Sequence, residues 1–422
     1  MATDSAFMPA AAEPAPTVES SPQTAQPSKK LAKVLLLDGY STRTLACVRS
    51  WGRKGVEFVV GGESRWDMSL FSRYAREKFV YTSPKRDLAS FIRDVNDNSR
   101  RFSADCVFPT SEAAILACSK YRKELNCIPL VPREREIELT FSKTNTLRIA
   151  ESLGIPVPQT VHVTVANVAL VESIALNFPV AIKSASSEVM HSTNARTSAK
   201  TAYAFNRDEL RTECKARLSR GESVLVQEFI DGYGVGISGL FDSGRPVALI
   251  AHRRIRESNP LGGPSAVAET ITPDAGLLRL TTALLERIGL TGPAMVEYKI
   301  ERRSGRPFLM EINGRFWGSV LLAVAAGLDL PYLYWKMLNG VEILPHEINY
   351  RIGMRGRYLI GDTKCLLLSL KGKPKRWPGG FAGRRLALSS YLSSFFDKRT
   401  TELILSWDDP APFVGRLLQP NS

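Results

Sequence analysis

The chain of 422 residues has few of the residues that build metal centres or disulfide frameworks. It contains six cysteines and four histidines, with no CxxC pair and no His/Cys cluster at metal-binding spacing. Most of the cysteines lie in apolar stretches, so we expect reduced, buried thiols in a cytoplasmic protein. No apolar run approaches the about 18 residues that a membrane span needs. The N-terminal residues also lack the basic region and apolar core of a signal peptide.

The sequence also lacks the patterns of several large functional classes. No Ser/His/Asp or Cys/His arrangement indicates a nucleophilic enzyme, and no nucleic-acid-binding module is recognisable. The formal net charge of +14 suits anionic ligands, nucleotides included. Weak attraction to nucleic acid or to an anionic membrane is equally compatible with this charge. Because no nucleic-acid module is present, we predict small anionic ligands and no nucleic-acid partner.

The first part of the chain predicts a flexible leader followed by a parallel α/β domain. Residues 1–30 are rich in Ala, Pro, Ser and Thr without apolar periodicity, which predicts a disordered tail. A strand at Lys33–Asp38, a helix at Thr44–Lys54 and a strand at Val56–Val60 then follow at the spacing of a βαβ unit. The turn after the first strand is not a GxGxxG sequence, so we predict no dinucleotide there.

The most informative stretch is a predicted hairpin that opposes two carboxylates. Ala294–Ile300 and Phe308–Asn313 both have strand character, and the Ser-Gly between them indicates a turn. A hairpin centred near Ser304 places Glu297 directly opposite Glu311, on the same face. Opposed carboxylates destabilise a sheet unless something positive lies between them.

Two carboxylates and the amide oxygen of Asn313 form a donor set that suits a hard cation such as Mg²⁺. Arg315 follows two residues later, where a guanidinium could hold a phosphate or stabilise developing charge. The alternative is a surface hairpin whose carboxylates pair with nearby arginines. The spacing alone does not separate the two interpretations.

The segments VEYK (296–299) and MEINGRFWGS (310–319) resemble the metal-binding end of the ATP-grasp fold, particularly bacterial carboxylate–amine ligase-like proteins. That family usually has MEINPRFWGS, so Gly314 stands here where proline is usual. QEFIDGYGVGISGLFDSGRPVALIAHRRIRE, GGPSAVAET and GPAMVEYKI extend the resemblance. The similarity covers roughly Leu31 to the early 340s and, more weakly, the remaining residues.

The resemblance implies an α/β protein with a Rossmann-like domain before a two-lobed ATP-grasp domain. We therefore predict a tail at 1–30, a Rossmann-like pre-ATP-grasp domain at 31–135, an ATP-grasp domain at 136–345 and a basic helical extension at 346–422. Within residues 351–400, twelve Lys and Arg face only Asp362 and Asp397, a net charge of +10. This region could make peripheral contact with a membrane. The simpler alternative is a basic helical subdomain packed on the ligase.

The resemblance also implies roles for individual residues, with ATP and Mg²⁺, or Mn²⁺ as an alternative, as cofactors. It implies phosphate contacts from Lys143 and Lys183, adenine contacts from the segment Gln227, Glu228, Phe229 and Ile230, and a ribose contact from Asp231. The implied metal ligands are Glu297, Glu311 and Asn313. The implied catalytic residues are Arg315, Arg254 and Lys183.

Substrate contacts are predicted for Glu112, His252, Arg253, Arg254 and Ser265. For the turn that contains Glu112, an N-cap role of Thr110 or Ser111 is the alternative. The basic run follows a strand that we predict at Pro246–Ala251, and the alternative for the run is a solvated strand end. The loop Ser184–Ser187 carries serines where relatives have glycines, and His191 and Asn194 are weak additional candidates.

The predicted function is an ATP-dependent carboxylate–amine ligase that forms an amide through an acyl phosphate, with small-molecule carboxylate and amine substrates. Two alternatives are an ATP-grasp kinase that stops at phosphorylation and a catalytically silent ATP-binding regulatory module. Because relatives are often dimers, a homodimer is a further expectation.

Overall fold

A computed structural model describes residues 30–185 and 201–419. The predicted tail lies outside these residues except for Lys30. Ser186 and Ser187 of the loop Ser184–Ser187 also lie outside them, as do the additional candidates His191 and Asn194.

The N-terminal domain is a parallel five-stranded sheet with helices on its faces. Its strands, in the spatial order β3-β2-β1-β4-β5, are β1 Lys33–Leu36, β2 Glu57–Gly62, β3 Glu77–Val80, β4 Cys106–Phe108 and β5 Ile128–Pro129. The helices are α1 Thr42–Lys54, α2 Leu88–Phe102 and α3 Glu112–Lys120, with short 3-10 turns at Met68–Phe71 and Arg122–Glu124. Because β1 lies between β2 and β4, the crevice at its carboxyl end is a topological switch point.

The sequence specifies α1 at both ends. Ser41 accepts a hydrogen bond from the backbone N–H of Arg43 at the start, and Gly55 ends the helix in the left-handed conformation. Trp51 is fully buried and packs against Phe58. The capped helix therefore holds the β1–α1 turn, and Arg43 with it, in a fixed position.

The first lobe of the second domain is a small antiparallel sheet. It follows α4 Glu134–Phe141 and α5 Lys143–Ser152. Its strands, in the order β6-β9-β7-β8, are β6 Thr160–Val163, β7 Val180–Ser184, β8 Ala202–Ala204 and β9 Val224–Glu228. A 3-10 turn at Val165–Asn167 and the helices α6 Leu170–Ser173 and α7 Arg207–Leu218 complete the lobe. Leu210 of α7 packs on Ile182 and Val226, which closes the core of the lobe.

The second lobe is built on a seven-stranded sheet in the order β14-β13-β10-β11-β12-β15-β16. These strands are β10 Gly232–Asp242, β11 Arg245–Glu257, β12 Ser265–Ile271, β13 Gly292–Glu301, β14 Pro307–Asn313, β15 Arg355–Arg357 and β16 Thr400–Glu402. The helices α8 Ala275–Ile288, α9 Val320–Ala325 and α10 Leu330–Leu338 follow them, with a 3-10 turn at Pro345–Ile348.

The C-terminal region is helical, as predicted, and also contributes β15 and β16 to the edge of the large sheet. Its helices are α11 Leu359–Leu370, α12 Arg384–Ser393 and α13 Ala411–Leu418. In the described part of the chain, none of the helices combines the length and apolarity that crossing a bilayer requires.

The last described segment returns to the N-terminal domain and is held there by a buried ion pair. Arg49 Nε donates to Asp409 Oδ2 at 2.9 Å, and the two side chains are only 4% and 1% exposed. Arg49 also donates to the carbonyl oxygens of Leu403 and Ile404. Asp409 in turn accepts from the Ser72 hydroxyl. The C-terminal segment therefore clamps the N-terminal domain to the edge of the large sheet.

Asp409→Ala should destabilise the protein by about 3 kcal/mol or more, because it leaves a buried guanidinium without its carboxylate. Urea unfolding measures this change. The neighbouring Asp408→Ala is the matched control, since Asp408 pairs with Arg53 on the surface at 2.7 Å and is worth at most about 1 kcal/mol. Equal losses in the two variants would contradict the clamp.

Candidate active site

The predicted hairpin forms, and its two carboxylates oppose each other. Glu297 of β13 is the register partner of Glu311 of β14, and the register shifts immediately after this pair. The Asn313 amide donates to Glu311 Oε1 at 3.1 Å. The three residues predicted as metal ligands therefore lie together on one hairpin.

The two carboxylates differ in their tendency to ionise. Burial raises the pKa of Glu297 to about 7, and the charge of Glu311 adds to this rise while Arg254 opposes it. Burial also opposes ionisation of Glu311, but the charge of Lys143 and the bond from Asn313 outweigh it and lower its pKa. The two carboxylates thus interact with each other and with three neighbouring cations, Arg254, Lys143 and Lys183.

The donor set fits a magnesium ion better than a transition metal. It offers carboxylate and amide oxygens, which are the ligands that Mg²⁺ prefers. Over residues 30–185 and 201–419, no group of three or more His, Cys, Asp or Glu side chains is arranged to hold a metal. A pair of carboxylates that leaves other positions to water and phosphate is typical of Mg²⁺ sites.

Lysines from both lobes face this hairpin. Lys183 lies in β7, and burial lowers its pKa to about 8, while the charge of Glu311 raises it. Lys143 is the first residue of α5, and its backbone N–H donates to Ala185 O at 3.1 Å. A third lysine, Lys299, lies 5.4 Å from the centre of the Phe229 ring, and burial lowers its pKa. We did not predict Lys299, although its spacing of two from Glu297 places it on the same face.

The basic run predicted for substrate lies within β11, because this strand continues through Glu257 against β12 rather than ending at Ala251. Arg254 forms an ion pair with Glu297 and a second with Glu257 at 3.2 Å. Both carboxylates raise the pKa of Arg254 against the effect of burial. Arg254 therefore already neutralises one of the predicted metal ligands.

The neighbouring Arg253 is held away from the hairpin. It pairs with Glu269 at 2.6 Å, and Arg355 of the C-terminal region binds the same carboxylate at 3.2 Å. Ser265, at the start of β12, has a buried hydroxyl without a hydrogen-bond partner in the described structure.

His252 is buried beneath the basic run. A side-chain carbon at Gly236 would lie 2.4 Å from its ring, so glycine is required there for the imidazole to fit. Burial lowers the pKa of His252 to about 4, and the charge of Arg254 adds to this effect. The imidazole is therefore neutral at physiological pH.

Because His252 is buried in its neutral form, the free energy of unfolding should decrease as the pH falls. The folded-state pKa of His252 lies below the unfolded value of about 6.5, so its contribution is fully present above pH 6.5 and is lost as the pH falls toward 4. Wild type should lose up to about 3 kcal/mol more than His252→Gln over this interval. Urea unfolding at several pH values measures the difference, with the exposed His162→Gln as control. Parallel curves for wild type and His252→Gln would contradict it.

The predicted adenine segment lies at the junction of the two lobes, and several of its side chains are already engaged. Gln227 donates to Thr160 Oγ1 at 2.9 Å, and Glu228 Oε1 accepts from the backbone of Gln159 at 2.9 Å. Ile230 is buried. The backbone and apolar surface of this segment thus remain the features suited to an adenine ring.

The C-terminal region covers one side of the same segment. The Phe229 ring packs edge-on against Trp377 at 5.1 Å, and Trp377 also contacts Tyr203 at 4.8 Å. Asp231 accepts from the Gly380 N–H at 3.2 Å and lies 3.6 Å from Arg302. Asp231, which we predicted to bind ribose, therefore already bonds to the C-terminal region through Gly380.

Arg315 faces the N-terminal domain, where it meets Glu112. The guanidinium donates to Glu112 Oε1 at 2.6 Å, and its buried Nε has no hydrogen-bond partner within the described residues. Arg43, the second residue of α1, lies close enough that burial and then the charge of Arg315 lower its pKa to about 10. Its Nε donates to Ser41 Oγ, and over the described residues it forms no salt bridge. The guanidiniums of Arg43 and Arg315 thus lie near the carboxylates of Glu112 and Asp38 at the switch point.

The glycine that departs from the family motif has a local cause. A side-chain carbon at Gly314 would lie 2.6 Å from Thr140 Oγ1. Thr140 belongs to α4, a helix that we did not predict, and its hydroxyl donates to Glu136 O. The close approach of α4 therefore excludes a larger residue between Asn313 and Arg315.

The structure combines a parallel α/β domain with two further lobes, each built on a mainly antiparallel sheet. The paired carboxylates lie on the larger of these two sheets. The chain has the ATP-grasp fold, and the prediction of that fold is confirmed. Residues 220–355 match the family model described as "ATP-grasp in the biosynthetic pathway with Ter operon". No curated protein matches the chain.

Solved structures with the same fold include three kinds of enzyme. An L-amino acid ligase from Bacillus licheniformis is 17% identical with a TM-score of 0.60, over 78% of this chain and 79% of that chain. N5-carboxyaminoimidazole synthetase from Staphylococcus aureus is 13% identical with a TM-score of 0.56, over 74% and 78%. The biotin carboxylase domain of a Hydrogenobacter thermophilus 2-oxoglutarate carboxylase is 15% identical with a TM-score of 0.57, over 76% and 73%.

Proposed function

We propose that this protein is an ATP-dependent ligase that joins a carboxylate to an amine. The observation that carries the proposal is the opposed pair Glu297 and Glu311 with Asn313, faced by Lys143 and Lys183. Half-buried carboxylates faced by two lysines suit a magnesium–nucleotide complex, whose phosphates would meet the lysines while its metal would meet the carboxylates.

The names of the structural neighbours support this choice of ligand and reaction. The Hydrogenobacter domain was crystallised with MgADP and bicarbonate, and a Staphylococcus aureus synthetase with ADP. The Bacillus licheniformis protein is a ligase of amino acids. We propose ATP and Mg²⁺ for this chain, with Glu297, Glu311 and Asn313 as the metal ligands. A bound Mg²⁺ would neutralise phosphate charge in the reaction.

The nucleotide is proposed to bind between the lobes, with its phosphates near Lys143 and Lys183 and its base along 227–230. Lys183 is half-buried and is repelled by other lysines, so an anion that enters would favour its charged form. Lys299 is a further cation for this region. The role of Asp231 toward ribose stays a prediction, since its carboxylate already bonds to Gly380.

The carboxylate substrate is proposed to bind beside Arg315 and Arg43, at the carboxyl end of β1. One carboxylate oxygen attacks the γ-phosphorus of ATP, and the bond to the bridging oxygen breaks to release ADP. The amine nitrogen then attacks the acyl phosphate carbon, loses a proton and expels inorganic phosphate. Arg315 would stabilise the negative charge of both steps, because a guanidinium binds carboxylate and phosphate oxygens in pairs.

The decisive experiment measures Mg²⁺-dependent ADP release with pooled carboxylates, in the presence and absence of pooled amines. Wild type is compared with Lys183→Ala and with Lys215→Ala, an exposed lysine of α7 in the same lobe. Release that needs both pools, vanishes in Lys183→Ala and survives in Lys215→Ala is the expected result. Splitting the pools then identifies both substrates.

Two other outcomes would replace this proposal. Release with carboxylate alone, unchanged by any amine, indicates an ATP-grasp kinase. Nucleotide binding that Lys183→Ala weakens, without release under any pool, indicates a regulatory ATP-binding module. A homodimer and the absence of a nucleic-acid partner stay predictions, which light scattering and an RNA-binding assay would test.

A further inference from the structure

Helix α12 packs with its polar side inward and its apolar side toward solvent. Four apolar residues follow one face of α12 and the turn after it: Leu388, Leu392, Phe395 and Phe396. We call them the α12 stripe. Their spacing of i, i+4, i+7 and i+8 places them on one side of a helix. Phe396 is 85% exposed, and the other three are 44–54% exposed. One side of the Phe395 ring rests on the Arg357 guanidinium, 3.9 Å from the ring centre.

The opposite face of α12 is held by a polar network. Asp362 is buried and binds Arg256 at 2.6 Å and Arg357 at 2.9 Å. Arg256 also donates to the hydroxyls of Ser390 and Ser394, at 2.6 and 2.8 Å. A surface helix normally buries its apolar stripe and exposes its polar face. Here the network fixes the reverse orientation, so the exposure of the stripe is built into the packing.

Basic side chains without carboxylate partners flank the α12 stripe in the sequence. Arg384 and Arg385 precede it, Lys398 follows it, and the connection from α11 carries Lys371, Lys373 and Lys375. All six are exposed, and over the described residues none of them forms a salt bridge. The region 351–400 as a whole has a net charge of +10. A large uncompensated charge of this kind attracts an anionic partner.

The charge and the side-chain chemistry together select one partner. A second copy of this chain carries the same positive charge, so self-association through this face would bring like charges together. Nucleic acid would match the charge, but half of the stripe is leucine, which offers neither stacking nor hydrogen bonds to bases. Apolar side chains rimmed by lysine and arginine fit a membrane surface with anionic lipid headgroups.

We propose that the α12 stripe and its basic rim dock the protein reversibly on anionic membrane surfaces. The leucines and phenylalanines enter the boundary between headgroups and acyl chains, and the six basic residues contact the headgroups. This inference is independent of the proposed reaction, because none of these residues belongs to the candidate active site.

Co-sedimentation of the full chain with vesicles tests the proposal. The vesicles contain phosphatidylcholine alone or phosphatidylcholine with phosphatidylserine. We expect binding only to the mixed vesicles, and weaker binding as the salt concentration rises. Phe396→Ser should weaken partition at least about ten-fold, since a buried phenylalanine side chain contributes that much or more. Arg385→Gln combined with Lys398→Gln should weaken it by about 25-fold, at roughly five-fold for each charge.

Matched controls separate the stripe from general effects. Val165→Ser removes an apolar side chain that is 70% exposed on the small lobe. Arg279→Gln with Arg287→Gln removes two exposed charges from α8, neither of which forms a salt bridge over the described residues. Both controls should bind vesicles within about three-fold of wild type, the scatter expected of surface substitutions. Unchanged thermal unfolding of all variants excludes misfolding.

Three results would overturn the proposal. The first is binding that does not depend on phosphatidylserine. The second is an equal loss of binding in the stripe variants and in their controls. The third is a different occupant: single-stranded RNA that binds where vesicles do not, or a dimer that light scattering shows to dissociate in Phe396→Ser.

Discussion

Glu311→Gln should abolish ligase turnover, with a loss of about a thousand-fold or more. The substitution keeps the shape of the side chain and removes one of the two carboxylate charges that face each other in β13 and β14. It should also remove the dependence of nucleotide affinity on Mg²⁺, because the metal then has a single carboxylate on the protein. Titration calorimetry with ADP, with and without Mg²⁺, measures this without knowledge of the substrates.

The control for this prediction is Glu301→Gln, which removes a carboxylate from the same strand, at the far end of the hairpin. It should retain turnover within about ten-fold, since it leaves the opposed pair intact. Turnover and Mg²⁺ dependence that persist in Glu311→Gln would show that the opposed carboxylates are structural. The alternative given above, a hairpin whose carboxylates pair with arginines such as Arg254 and bind no metal, would then be correct.

Arg315→Met should lower turnover by about a hundred- to a thousand-fold and leave nucleotide affinity within about three-fold of wild type. Turnover and nucleotide affinity should respond differently because Arg315 pairs with Glu112 of the N-terminal domain and not with the groups between the lobes. The variant also leaves Glu112 without its partner, which should cost about 3 kcal/mol of stability.

The double variant Arg315→Met with Glu112→Gln separates the two effects. It removes the unpaired carboxylate, so stability should recover while turnover stays low. Recovery of turnover together with stability would mean that Arg315 only supports the fold. Arg315→Lys should rescue little activity, because an ammonium lacks the paired donors of a guanidinium.

The sequence was sufficient to predict the hairpin that opposes Glu297 and Glu311, because the relevant information is local. A turn near Ser304 and the alternation along two strands predict that Glu297 faces Glu311, and the pair forms although the register shifts by one residue between it and the turn. Short-range periodicity is what a single sequence encodes most directly.

Contacts between distant segments could not be predicted in this way. Arg315 meets Glu112 across 203 positions, and no local pattern encodes that pair. Arg43 was missed for the same reason, although its place at the start of the helix after a parallel strand is a known position for ligand contacts. β11 was expected to end at Ala251 because a basic run follows, but pairing with β12 carries it to Glu257.

The ion pair between Arg49 and Asp409 has a consequence for the order of synthesis. Its members are separated by 360 positions, so at synthesis rates of about 5 to 20 residues per second Arg49 emerges roughly 20 to 70 s before its partner. During this interval the guanidinium of Arg49, which is buried in the complete structure, has no carboxylate partner. Nascent chains that stall before Asp409 should therefore be substrates for chaperones and proteases, whereas completed chains become resistant once the clamp has closed.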